Sequence, residues 1–126
     1  SVALDLSEAD RARLTFVAKP PAPTSPVEAH LTFLPSTGKS WRTASGKTGR
    51  LGAKPFTLTA AQAGPWFEHN GWRVALPKKS SITWPVLPHN PYRKDGRAGP
   101  EEGRIVLTIP FAGTITTQDV VVSIIK

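Results

Sequence analysis

Arg104-Ile105-Val106-Leu107-Thr108-Ile109-Pro110-Phe111 sets how the rest of the chain is read. Ile105, Leu107, Ile109 and Phe111 fall on every second residue, the period of a strand with one buried face. A helix would space them three or four apart. The same alternation recurs in both directions. Leu14 and Phe16 form one apolar side, and Ala29, Leu31 and Phe33 another. Phe56-Thr57-Leu58-Thr59 and Trp72-Arg73-Val74-Ala75-Leu76 alternate too. The closing Val120-Val121-Val122-Ser123-Ile124-Ile125 is almost wholly β-branched and suits a strand buried on most of its surface.

Turn signals separate these runs. They are Pro35-Ser36-Thr37-Gly38, Gly49-Arg50-Leu51-Gly52, Asn70-Gly71, Pro77-Lys78-Lys79 and Asp95-Gly96. Asn-Gly and Asp-Gly accept positive φ and reverse the chain tightly. Two stretches alone are compatible with helix, Ser7 to Arg11 and Thr59 to Gly64, and Gly64-Pro65 stops the second. The Pro-rich segment Lys19-Pro20-Pro21-Ala22-Pro23-Thr24-Ser25-Pro26 reads as a stiff loop between strands. The pattern predicts an all-β fold, a two-sheet antiparallel sandwich of eight to nine strands.

Composition bounds the rest. The 126 residues supply one domain with a modest core, expected to be a module of a larger protein. Thirteen Pro and ten Gly disfavour long helices. No apolar run reaches the roughly 18 residues of a membrane span, so no membrane partner is expected. No basic-then-apolar leader is present in these residues. The absence of Cys excludes disulfides and thiolate metal sites.

The net charge of +7 is unevenly placed. Residues 39–97 hold eleven Lys and Arg against Glu68 and Asp95. A basic middle between mildly acidic ends favours acidic partners, although part of it serves only solubility.

Several chemistries fail on spacing. Gly38-Lys39-Ser40 and Gly46-Lys47-Thr48 resemble the end of a phosphate loop, but the required earlier Gly is replaced by Phe33 and Trp41. Glu68, His69 and His89 could meet a metal only if two His-Asn loops lay side by side, so neither metal nor cofactor is assigned. No Gly-x-Ser-x-Gly elbow exists, Glu101 and Glu102 sit in an ordinary solvated place, and Asp95 precedes Gly96 in a turn. A hydrolase built on Glu68 with His69 or His89 is the third-ranked reading.

Aromatic residues carry more. Trp41, Trp66, Phe67, Trp72, Trp84 and Tyr92 all fall in the basic middle. Trp72 and Trp84 lie in strand patterns and are assigned to the core. Trp66-Phe67 follows a bend at which one ring turns inward. A ring beside Arg or Asn in a stiff loop suits a sugar, whose apolar face stacks on it. The expected ligand residues are Trp41, Trp66, His89, Asn90, Tyr92, Arg93, Lys94 and Arg97. The rings form the platform, the cations meet carboxylate or sulfate, and His89 and Asn90 fix hydroxyls. Single-stranded nucleic acid would use the same kit, but no RNA-binding signature accompanies it.

Trp72-Arg73-Val74-Ala75-Leu76-Pro77, followed by Ile82-Thr83-Trp84-Pro85-Val86-x-Pro88-x-Asn90-Pro91-Tyr92-x-x-Asp95-Gly96, resembles stretches of β-sandwich domains that accompany secreted polysaccharide-degrading enzymes. The C-terminal sandwiches of heparinase-like lyases are among them. The resemblance spans about residues 55 to 111. It implies a non-catalytic, extracellular or periplasmic accessory domain that packs on a catalytic domain of the same polypeptide and helps it hold polysaccharide. It carries over no catalytic residue. The alternative is an assembly domain that binds another protein through a sheet face or edge, with Val121 and Ile125 as its best support.

Overall fold

The computed structural model describes residues 2–17, 27–52, 54–86, 103–111 and 117–125. Among them are eleven strands and one helical turn. In chain order the strands are β1 (Val2–Glu8), β2 (Arg11–Val17), β3 (Val27–Phe33), β4 (Ser40–Thr43), β5 (Thr48–Arg50), β6 (Phe56–Thr59), β7 (Trp66–His69), β8 (Trp72–Ala75), β9 (Ser81–Val86), β10 (Arg104–Phe111) and β11 (Thr117–Ile124). The helix α1 (Ala60–Ala63) lies between β6 and β7. The strands form two antiparallel sheets, one ordered β1-β2-β11-β8-β7-β4-β5 and the other β3-β10-β9-β6. The all-β, two-sheet reading is thereby met.

The period-two residues do what their spacing demands. Ile105, Leu107, Ile109 and Phe111 are all buried, and they face Phe67, Val74 and Val120 of the larger sheet. A chain of five rings ties the sheets together. Phe33 of β3 stacks on Trp72 of β8 at 4.4 Å between centroids. Trp72 lies 6.1 Å from Phe67, Phe67 lies 5.8 Å from Trp41, and Trp41 lies 4.7 Å from Phe56 of β6. Offset and tilted pairs at these separations add about 0.5–1.5 kcal/mol each beyond their buried area. The rings therefore clamp both long edges of the smaller sheet onto the larger one.

Local signals were followed closely in places. Asn70 (φ 43°) and Gly71 (φ 87°) form the two-residue turn between β7 and β8, the positive-φ pair a tight hairpin requires. Thr59 caps α1 in a reciprocal box with Gln62. β2 and β3, which flank the Pro-rich segment, belong to different sheets; the segment itself lies outside the described residues.

Three expectations are corrected. The strand number exceeds eight to nine, because Gly49-Arg50, read as turn, belongs to β5, and Trp66-Phe67, read as following a bend, begins β7. Ser7 to Arg11 is not helix but the end of β1, a two-residue turn and the start of β2. β11 is less buried than its β-branched run suggests: Val120 is fully buried, whereas Ile124 at the rim is exposed.

Candidate functional site

The larger sheet turns its polar face outward, and its register lines up one residue from every strand. Glu8, Arg11, Ser123, Arg73, Glu68, Arg42 and Thr48 form one continuous row from β1 to β5. In the middle of this row Glu68 lies between two guanidiniums. Its Oε2 accepts from Arg42 Nε, and its Oε1 accepts from Arg73 Nε at 2.6 Å and from Arg73 NH2. The Glu68 side chain is only 8% exposed, while those of Arg42 and Arg73 are 60% and 38% exposed. Burial pushes the Glu68 carboxyl up, but the hydrogen bonds and charges of Arg42 and Arg73 outweigh it and hold the group below the usual carboxylate range. Glu68 in turn holds the Arg42 guanidinium protonated. Two cations against one anion leave this spot positive.

Trp66 sits beside this cluster on the same face. The Arg73 guanidinium carbon lies 4.0 Å from its ring centroid and that of Arg42 5.7 Å away. Arg73 therefore occupies one face of the indole as a cation–π partner. A ligand approaching from that side meets guanidinium N–H groups before it meets the ring.

His69 points the other way. Neighbours on a strand project to opposite faces, so Glu68 and His69 are separated by the sheet itself. His69 is buried; its Nε2 accepts from the Ser36 N–H at 3.0 Å and its Nδ1–H donates to the Ser40 carbonyl at 3.0 Å. Those two bonds require the neutral ring protonated at Nδ1. Burial lowers its pKa, partly opposed by the Ser40 carbonyl. Asn70 adds a bond from its side-chain amide to Ser36 Oγ at 2.6 Å. The His-Asn pair thus fastens the loop before β4 onto β7, and neither ring nitrogen is left to take a proton from a substrate.

The cleft with the most ligand-like lining lies at the side of the sandwich where the edge strands β5 and β6 face each other. It has a volume of about 410 Å³. Trp41 and Phe56 form its apolar part, and Lys47, Arg50 and Lys54 stand around it. No carboxylate is among its lining residues, which are all described ones. Gly49 makes the shape possible. A Cβ there would lie 2.7–2.8 Å from the Trp41 indole, so only Gly lets that ring lie flat against β5. Arg50 also donates from NH1 to the Gly38 carbonyl at 3.2 Å, which ties β5 to the loop before β4. A second, polar groove of about 290 Å³ runs from Lys39 and Arg42 to Asn70 and Ile125.

Of the expected ligand residues, Trp41 lines both depressions and Trp66 lies on the outer face under Arg73. His89, Asn90, Tyr92, Arg93, Lys94 and Arg97 lie outside the described residues. Lys47, Arg50, Lys54 and Phe56 are new to the site. Their charges were visible in the basic middle, but nothing local showed that β5 and the start of β6 would meet. Among the described residues, no group of three or more His, Cys, Asp or Glu is gathered as a metal site.

No protein-family model matches the chain, and neither does any curated protein or solved structure.

Proposed function

We propose that the chain is a non-catalytic module that holds an acidic polysaccharide for a catalytic domain of the same polypeptide in an extracellular or periplasmic setting. One observation carries this reading: three cations and two rings surround an open cleft that has no carboxylate in its lining. Lys ammonium groups supply point charges for sulfate or carboxylate. Trp41 and Phe56 supply an apolar surface for the flat side of a sugar ring. The cluster of Arg42, Arg73 and Trp66 on the neighbouring face extends the positive surface along a chain-like ligand.

The non-catalytic part of the reading is supported by the same geometry. The Glu68 carboxylate is spent on two arginines and both His69 nitrogens on backbone groups.

Retention on immobilised dextran sulfate, compared with immobilised neutral dextran, tests the reading. The chain is expected to bind the sulfated matrix and pass through the neutral one. Passage through both would overturn the proposal.

A different observation favours a second reading, an assembly domain. The apolar residues Val2, Leu4 and Leu6 of β1 are exposed along a sheet edge.

A further inference from the structure

Among the described residues, β1 is the first strand of the seven-stranded sheet and has a neighbour on one side only. All seven of its residues are exposed. Val2, Leu4 and Leu6 are 59%, 59% and 66% exposed, although they belong to the apolar side of the strand. The register shows which side that is. Leu4 lies across from Leu14, which lies across from the buried Val120; Val2 lies across from the buried Phe16. Residues directly opposite share a face. The stripe is therefore the core-facing side of the large sheet, carried one strand beyond the reach of the smaller sheet.

Natural edge strands are usually blunted by Lys, Pro or an inward charge. Val2-Ala3-Leu4-Asp5-Leu6 has none of these. Its one irregularity, a register shift against β2, falls between Asp5 and Glu8, past most of this segment. About a centre at Leu4 the apolar positions of the segment are symmetric, Val2 matching Leu6, while Ala3 is matched with Asp5. An isologous two-fold contact needs this kind of self-complementary pattern.

We propose that β1 pairs antiparallel with β1 of a second copy of this chain, with Leu4 on the two-fold axis. In this register Val2 lies opposite Leu6 of the partner subunit, and Leu4 opposite Leu4 of the partner subunit. The six aliphatic side chains then form one strip on the core-facing side. Charge selects the same register. Each Asp5 lies opposite Ala3 of the partner subunit, and each keeps Arg13 across from it on its own β2. A pairing centred on Asp5 instead would set two carboxylates face to face, which is unfavourable. A pairing shifted by an odd step would carry the apolar residues to the wrong face. The join lies at the opposite edge of the sheet from β5, so the cleft stays open in both copies.

The on-axis residue allows a decisive experiment. Sedimentation equilibrium of the whole chain over micromolar to sub-millimolar concentrations is expected to show a monomer–dimer equilibrium. Leu4→Lys and Leu4→Glu, made separately, each oppose like charges on the axis and raise the dimer dissociation constant by about tenfold or more. An equimolar mixture of the two variants restores a dimer, because Lys then faces Glu. Circular dichroism confirms that each variant is folded, as expected for an exposed edge position. A wild-type chain that stays monomeric throughout overturns the proposal and leaves the stripe to a different protein. A dimer that survives in both separate variants, or a mixture that fails to associate, also overturns it.

Discussion

At the scale of single residues, Glu68 and His69 show how far a linear reading reaches. Side by side in sequence, they look like an acid and a base for hydrolysis. Strand geometry sends one to the outer face among arginines and the other inward to backbone groups. Arg73 lies opposite Glu68 across the short Asn70-Gly71 hairpin, but Arg42 comes from β4 and Ser36 from a loop, and neither of these has a local signature. Glu68→Gln leaves Arg42 and Arg73 without their counter-charge over the same spot. The arginines are partly solvated, so the expected loss is about 1–3 kcal/mol of stability, read by urea denaturation. His69 predicts a separate pH dependence. Its folded pKa lies below the ordinary 6.5, so the unfolded chain takes up the proton first. The stability it contributes is complete above pH 6.5 and declines as the pH falls below that value. Glu68, also lowered in the fold, adds a second decline as the pH falls below its ordinary 4.5. Melting temperatures measured from pH 8 to pH 3 are expected to show both declines, and His69→Gln is expected to remove only the first.

At the scale of elements, legibility followed length and period. β10 could be read because its eight residues carry four alternating apolar side chains that are all buried. The β7–β8 hairpin could be read because Asn70-Gly71 has a backbone requirement of its own. β5 could not. Its three residues, Thr48, Gly49 and Arg50, contain no apolar side chain, and Gly next to Arg is what a turn would show. Gly49 is there because Trp41 of the adjacent strand needs the space. Gly49→Ala forces the indole out of a position already fixed by Phe56 and Phe67. The expected cost is about 1–3 kcal/mol, the range for overpacking a fitted site. Because the displaced ring is a wall of the cleft, the same variant is expected to weaken dextran sulfate binding, measured by calorimetric titration. An unchanged affinity would place the ligand elsewhere.

At the scale of the whole molecule, two unequal sheets account for both surfaces that stand out. Among the described residues, seven strands over four leave β1 without cover and let β5 and β6 frame an open side. The fold class was legible because alternation and turn spacing are properties of the whole chain. The cleft was not, because it depends on which two edges meet. The basic middle foretold the sign of the charges around the cleft without their address. Binding driven by these cations is expected to weaken steeply with salt, as the screening length falls from about 10 Å at 0.1 M to about 3 Å at 1 M. Elution from the sulfated matrix at moderate salt checks that expectation; salt-insensitive retention would point to neutral sugars.

The central claim is that Lys47 and Lys54, beside Trp41 and Phe56, hold an acidic sugar chain. Its most direct test is calorimetric titration of dextran sulfate into the chain and into the double variant Lys47→Ala/Lys54→Ala, with melting temperature as the control for folding. Both lysines are exposed, so the variant is expected to melt as the parent does. Its dissociation constant is expected to rise about tenfold or more, a loss of about 1.4 kcal/mol or more in binding. An unchanged dissociation constant in a folded variant would contradict the account.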